Sequence, residues 1–217
     1  MPNIDSLTFD TGKWQPIEKQ PYKIVWGDDV KSLSAVLSLE FFSMPPDIPV
    51  PIADINGIRF IYRTLANQSG AGLLAAEVVD VQGMSCVETI FKLPQENRGM
   101  VYIGSITVPF EQLSYVVKIQ SVERGVTGIR EAVILDRLMG EGFQFEIVDQ
   151  KMMGWAADPY DPTGDYPLAP NLAESEKYDA EFPDHALTKV RRTLGQIKET
   201  LQFSDELRNC PKFTKPA

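Results

Sequence analysis

The sequence predicts an α+β fold: an antiparallel meander sheet flanked by helices, with a C-terminal irregular arm and helix. Three features point to it. Between residues 72 and 122, four runs of strand-forming residues follow one another with only short turns between them. Segments of helical period precede and follow that block. Residues 154–184 then carry eight carboxylates against one lysine, with five prolines and five aromatics and no regular period.

In chain order, residues 22–26 (YKIVW) form a short strand. After Gly27-Asp28-Asp29, the residues Leu33, Ala35, Leu37, Leu39 and Phe41 alternate with Ser34, Ser38 and Glu40, the period of two of a half-buried strand. Four prolines in residues 44–51 exclude both ladder and helix, leaving a stiff connector. Asp54 caps a helix of about 12 residues, with Ile55, Ile58, Ile61, Tyr62 and Leu65 on one side. Asn67-Gln68-Ser69-Gly70 ends it. In the meander, 73–81 and 84–93 are joined by Gln82-Gly83, a tight hairpin signal. Strands 100–108 and 114–122 follow after turns. Val101 and Ile103, then Tyr115, Val117 and Ile119, point one way while Lys118 and Gln120 point the other, so one side of the sheet is expected to be wetter. Thr127 is expected to cap a helix to about Met139, stopped by Gly140-Glu141-Gly142. Phe143, Phe145 and Ile147 alternate with polar residues as a last strand. Beyond the arm, Asp184 is expected to cap a helix over 185–203. Its Leu187, Val190, Leu194, Ile197 and Leu201 form a narrow apolar stripe suited to one groove.

A chain of 217 residues can bury roughly 70% of its unfolded surface without staples. Hydrophobic content of 43% and charged content of 24% are ordinary for a globular protein. A formal net charge of −9 repels phosphate, which argues against nucleic acid and anionic membranes as partners. Cys86 and Cys210 fit no metal spacing. The N-terminal segment lacks the basic and apolar regions of a signal peptide, and no apolar run approaches the roughly 18 residues of a membrane span. A cytoplasmic protein with free thiols is expected.

The residues that carry chemistry form no complete catalytic set. His185 is the only histidine, and Asp179, Glu181 and Asp184 nearby could steer it as a general base. Against that, a residue in a first helical turn packs or faces water, and the helix N-terminus disfavours a protonated ring. No G-x-S-x-G elbow accompanies it: Gly83-Met84-Ser85-Cys86-Val87 lacks the second glycine, and Cys86 lies in a strand where nothing stabilises a thiolate. Asp158, Asp161 and Asp165 are hard oxygen ligands. Intervening prolines, and Ala169 in place of the closing glutamate, break the calcium-loop pattern, and Asp-Pro pairs start turns. Gly125-Val126-Thr127-Gly128 follows a strand and opens a helix beside Arg124 and Arg130. That arrangement can hold a small carboxylate or phosphate, although a tight turn explains the glycines equally well. Lys189, Arg191, Arg192 and Lys198 make the last helix basic, with the acidic arm as the obvious internal counterpart. No cofactor and no metal ion is expected.

The helix at 54–68, followed by VVDVQG, ETIFKLP, GMVYIGSITVPF, SYVVKIQSVE and a further helix, resembles the α/β/α sandwich of PsbP-like proteins. Their relatives include a nuclear-import Ran-binding factor and bacterial lipoproteins. The resemblance covers residues 22–150. The phrases PPDIPVPIAD, GSITVPF, GVTGIREA, DPYD and FPDHAL are similar to those of an uncharacterised bacterial cytoplasmic family. The resemblance implies a binding or accessory module and carries over no catalytic residue. The arm and helix after Lys151 depart from the usual compact form.

Four segments are therefore expected: an α+β sheet domain over 1–150, an acidic aromatic arm over 151–184, a helix docked on the domain over 185–205, and a tail over 206–217. The expected function is a non-catalytic binding or accessory protein, of adaptor, chaperone-like or immunity type, with another protein as partner. Trp155, Tyr160, Tyr166, Tyr178 and Phe182 are the candidate anchors, because aromatics dominate interface hot spots. The alternative is a small-anion-binding enzyme or sensor in which Arg124, Arg130 and His185 converge on one pocket. A homodimer formed through the C-terminal arm and helix is a further expectation.

Overall fold

Strand alternation between residues 15 and 122 builds one seven-stranded antiparallel sheet in the computed structural model, which describes residues 1–29, 33–148, 151–164 and 166–215. Its strands are β2 (Gln15–Gln20), β3 (Lys23–Gly27), β4 (Ala35–Phe42), β5 (Gly72–Val81), β6 (Met84–Pro94), β7 (Met100–Pro109) and β8 (Ser114–Val122), in the order β2-β3-β4-β8-β7-β6-β5. A short β1 (Leu7–Thr8) precedes them and pairs with β11 (Gln202–Phe203) near the other end of the chain. Among the described residues four α-helices complete the fold: α1 (Ile55–Gln68), α2 (Ile129–Gly140), α3 (Ala186–Thr200) and α4 (Asp205–Arg208). Gln82 and Gly83, which join β5 to β6, both have positive φ, as a two-residue type I′ hairpin requires.

The ladder register sorts the side chains into two faces. Gly104 lies opposite Ile90 on one side and Ile119 on the other. Alternation puts Tyr102, Ile106, Val117, Tyr115, Leu37 and Leu39 on that same face, all buried. The apolar stripe of α3, with Leu187, Val190, Leu194 and Ile197, packs along it over β7 and β8. Gly104 makes this approach close: a Cβ there would lie 2.5 Å from Val190 Cγ1 and 2.7 Å from Leu194 Cδ1. The opposite face is covered only in part. There α1 packs on β5, and Ile58 joins Ile48, Ile52, Val87 and Phe213 in a second core. The rest of that face carries Glu40, Lys118 and Gln120, with Glu40 between Lys118 (3.2 Å) and Lys23 (3.7 Å). The layers are thus helix, sheet, helix, and the wetter side is the one the alternation predicts.

The two sheet edges are protected differently. Along β5 the arm lies over the edge: the Tyr160 hydroxyl accepts from the Ala76 N–H at 2.7 Å, and a Cβ on Gly72 would fall 2.0 Å from the Leu168 carbonyl oxygen. The β2 edge is fully exposed, but Pro16, a register shift after it, and Lys19 make it a poor template for another strand.

Several local expectations need correction. Residues 143–147 add no strand to the sheet. Instead β9 (Glu146–Val148) pairs with β10 (Lys151–Met153) in a separate hairpin. Helix α2 is entered through left-handed Gly128 with no side-chain cap, not through Thr127. His185, not Asp184, caps α3, with its ring accepting from the Leu187 N–H. The expected tail over 206–217 is more than that over its described part, 206–215: Leu207 and Phe213 are buried, and the Ile52 N–H donates to the Thr214 carbonyl. Because α3 closes the main core, the sheet needs residues on both sides of position 150. The boundary residues 149 and 150 lie outside the described residues.

The α3 contact sets a simple expectation. Gly104→Ala overpacks the point where helix meets sheet and should cost about 1–3 kcal/mol, read as a lower urea midpoint with unchanged m-value. An unchanged midpoint would mean that α3 does not pack there.

Candidate functional site

The end of the sheet where β8 stops gathers a group of buried and half-buried ionisable side chains. Lys92, Tyr102 and Ser121 are cross-strand neighbours on the α3 face. The chain leaves β8 at Glu123, turns through left-handed Gly125 and Gly128, and enters α2. The N-terminus of α3 comes to the same place and brings His185. Glu123 Oε1 lies 2.9 Å from His185 Nε2, and each side chain is only 7% exposed. The Leu187 N–H occupies His185 Nδ1 at 3.2 Å, so Nε2 is assigned the ring proton and donates to Glu123. Glu123 Oε2 accepts from the Met100 N–H at 2.7 Å. Burial raises the Glu123 carboxyl, but hydrogen bonds from His185, Met100 and Gly128 outweigh it and hold the group below the usual range.

Glu131, in the first turn of α2, completes the group. One acceptor atom each from Glu123, Glu131 and His185 lies within 4.8 Å of the other two. Glu131 Oε2 is buried and has no hydrogen-bond partner. Burial first, and then the Glu123 and Glu174 charges, raise its carboxyl above the usual range despite a hydrogen bond from its own backbone N–H. The edge of one ring meets the other between Tyr102 and His185, with centroids 5.5 Å apart.

Beneath this group lies a third carboxylate, Glu174 of the arm. It accepts from Lys92 Nζ (2.6 Å), from the Tyr102 hydroxyl (3.0 Å) and from the Asn171 N–H (2.7 Å). Lys92 and Glu174 are both almost wholly buried. Burial and the charges of Glu174, Glu131 and Glu123 push the Tyr102 phenol far above its ordinary range, so it stays protonated and donates.

Over the Glu123–His185 pair opens a cleft of about 350 Å³, lined among others by Arg124, Val126, Ile129, Phe182, His185 and Lys189. Two of the three residues expected to hold an anion, Arg124 and His185, therefore meet on one cleft. Arg124 donates to the Leu33 carbonyl at its rim, and Lys189, which the anion expectation did not include, donates to Ser34 Oγ at 2.9 Å. Arg130 does not join them. It is fully buried and spends its guanidinium on the Ala173 and Ser175 carbonyls, Thr188 Oγ1 and Asp179. With Arg191, which reaches Asp179 (2.9 Å) and the Glu174 carbonyl (2.7 Å), it fastens the arm to α2 and α3.

The five aromatics proposed as anchors turn inward. Tyr160 donates to Glu77 at 2.9 Å and carries Arg59 over its ring. Tyr166 donates to Asp161 at 2.6 Å, with Arg63 over its ring. Tyr178 is buried with Ile134 and Ala173, against which Trp155 and Phe182 also pack. None of the five forms a free aromatic surface. Asp158 accepts from the N–H groups of Tyr160 and Asp161, the chemistry of a turn; Asp165 lies outside the described residues. The sequence reading missed Glu123, Glu131, Glu174, Lys92 and Tyr102. The one available signal was that Lys92 and Tyr102 break an apolar face at matched positions of adjacent strands.

No protein-family model matches the chain, and no curated protein matches it. Similar solved structures include the solution structure of the cyanobacterial PsbP of Synechocystis sp. PCC 6803. It shares 15% identity over 64% of this chain and 86% of that one, with a TM-score of 0.39. Another is a crystal structure from Bacteroides thetaiotaomicron VPI-5482, with 9% identity over 56% of this chain and a TM-score of 0.35; the matched part spans only 40% of that protein's length. A third is PA94, a protein of unknown function from Pseudomonas aeruginosa, with 10% identity over 59% of this chain and 94% of that one, and a TM-score of 0.34. Likeness at this level carries no functional argument.

Two expectations follow from the buried groups. Lys92→Ala leaves Glu174 buried without its cation and should cost about 3–5 kcal/mol in urea unfolding; a cost below about 1 kcal/mol, the level of an exposed pair, would contradict the burial. Glu131, with its folded pKa raised, binds its proton more tightly folded than unfolded, so it removes stability as pH rises above about 4.3, the ordinary glutamate value. Glu131→Gln should therefore match the parent near pH 4 and exceed it increasingly toward pH 8; stability curves that stay parallel would refute the raised pKa.

Proposed function

We propose that this chain is a non-catalytic binding protein that holds another protein against the β9–β10 hairpin and the outer side of α2. The hairpin carries the reading: β9 is exposed along its whole length, with Ile147 72% exposed and Val148 and Met153 also open to solvent. A three-residue ribbon gains little stability by itself, and apolar side chains left outside the core in this way mark a contact surface. Val126 (77% exposed), with Ile129 and Val133 one helical turn apart, adds exposed apolar positions at the start of α2. The inward packing of the arm aromatics supports moving the contact surface from the arm to this hairpin.

The chemistry also favours binding over catalysis. Burial, with the Asp80 charge, pushes the Cys86 thiol up to about 12, so it supplies no thiolate near neutral pH. Both nitrogens of His185 are engaged in holding Glu123 and the start of α3. Adaptor, chaperone-like and immunity roles all use such a surface. Among the described residues, no helix is long and apolar enough to cross a membrane.

A second reading has its own observation: Arg124 and Lys189 flank a cleft into which the N-terminus of α3 opens, a setting that favours a small carboxylate or phosphate. Titration with phosphate and with citrate tests it; Arg124→Ala should weaken a real site at least tenfold.

For the main reading, Ile147→Asp places a charge at the centre of the hairpin. It should reduce capture of the partner from extract by about 30-fold, the effect of losing a hot spot of about 2 kcal/mol, while leaving the melting temperature unchanged. Undiminished capture, or a lower melting temperature, would contradict it.

A further inference from the structure

We propose that Glu123, Glu131 and His185 form a binding site for one divalent transition-metal ion of the zinc class. The inference stands apart from the protein-binding reading and rests on different residues. It begins with the geometry: three side chains from two loops and a helix start, far apart in sequence, place one ligand atom each within 4.8 Å of the others. An imidazole with two carboxylates is a donor set that suits zinc, iron(II) or manganese(II) better than magnesium or calcium, which prefer all-oxygen shells.

The second observation is independent of the spacing. Glu131 Oε2 is buried against this group without any hydrogen-bond donor. A buried carboxylate oxygen with no partner is costly, and a cation shared with Glu123 removes that cost. Of the three carboxylates gathered here Glu174 already pairs with Lys92, which leaves Glu123 and Glu131 sharing the corner with the His185 ring. The starts of α2 and α3 lend this group partial positive charge, which is enough to tolerate one carboxylate each but supplies no donor to Glu131 Oε2.

Access and coordination chemistry are also in place. Glu123 and His185 are among the residues that line the cleft, which gives an ion a route to them from solvent. Binding replaces the proton between His185 Nε2 and Glu123 Oε1 with the metal. The ring proton then moves to Nδ1, and the Leu187 N–H loses its contact there. At 3.2 Å that cap is a long hydrogen bond, one weak contact exchanged for coordination by three side chains. The sequence reading expected no metal because the ligands share no motif: they span residues 123 to 185.

The test uses the full chain carrying Cys210→Ser, stripped with chelator, and titrated with Zn2+ and Co2+ by calorimetry, absorption and thermal melting. One equivalent of metal should bind and raise the melting temperature, and Co2+ should show visible bands of a low-coordinate site. Glu131→Gln should weaken binding at least tenfold while melting, in chelator, no lower than the parent. His185→Asn, which keeps a good N-cap, should weaken binding similarly. The proposal is overturned if the parent takes up neither ion stoichiometrically, or if Glu131→Gln and His185→Asn bind as tightly as the parent.

Discussion

The fold turns on one buried carboxylate. Glu174 reaches from an irregular arm into the end of the sheet, where Lys92, the Tyr102 hydroxyl and the Asn171 N–H enclose it. Burying a charge is tolerable only when it is paired and its lone pairs are met, and Glu174 satisfies both conditions. That single anchor fixes where the arm must run. From it the chain passes Arg130 and Arg191, which hold Asp179, and arrives at His185 in position to start α3. Helix α3 then lays its apolar stripe on the sheet and closes the main core. A polar contact thus sets the path of the chain, while hydrophobic burial supplies most of the stabilisation.

The acidic arm is accordingly not a free tail. Its carboxylates are met by cations from four elements: Lys92 of β6, Arg63 of α1, Arg130 and Arg137 of α2, and Arg191 of α3. Of these pairs the exposed one, Arg137 with Glu181, contributes little, whereas the buried ones dictate a unique arrangement. The same economy explains the aromatics. Tyr160 and Tyr166, each with an apolar body and a polar tip, use the tip to reach carboxylates while their rings take an arginine.

Much of the architecture was legible because it rests on local patterns. The alternation of 33–41, 100–108 and 114–122, the Gln82-Gly83 turn and the spacing of the last helix all describe what those segments bury, and the sheet and α3 follow from them. What failed were readings in which tertiary contact overrides local signal. Residues 143–147 alternate like a core strand, yet only Glu146 and Ile147 of them pair, and in an outer hairpin. Arg130 beside a glycine turn reads as an anion ligand, yet Ala173, Ser175 and Asp179 of the arm and Thr188 of α3, 43 or more residues away, hold its guanidinium. The buried polar group was the least legible, since Glu123, Glu131, Glu174 and His185 come together only when β8, α2, the arm and α3 meet at one corner. No spacing rule links them.

The central claim is that the arm around Glu174 is as firmly held as the sheet beneath it. Amide hydrogen exchange tests this most directly, through the N–H groups of Asn171, which donates to the buried Glu174 carboxylate, and of Glu174, which donates to the Asn171 carbonyl. The account predicts protection at both close to that of Val117 and Ile119 in the central strand β8, lost only with global unfolding. Exchange at both within seconds, while β8 remains protected, would show a loosely attached arm and contradict it.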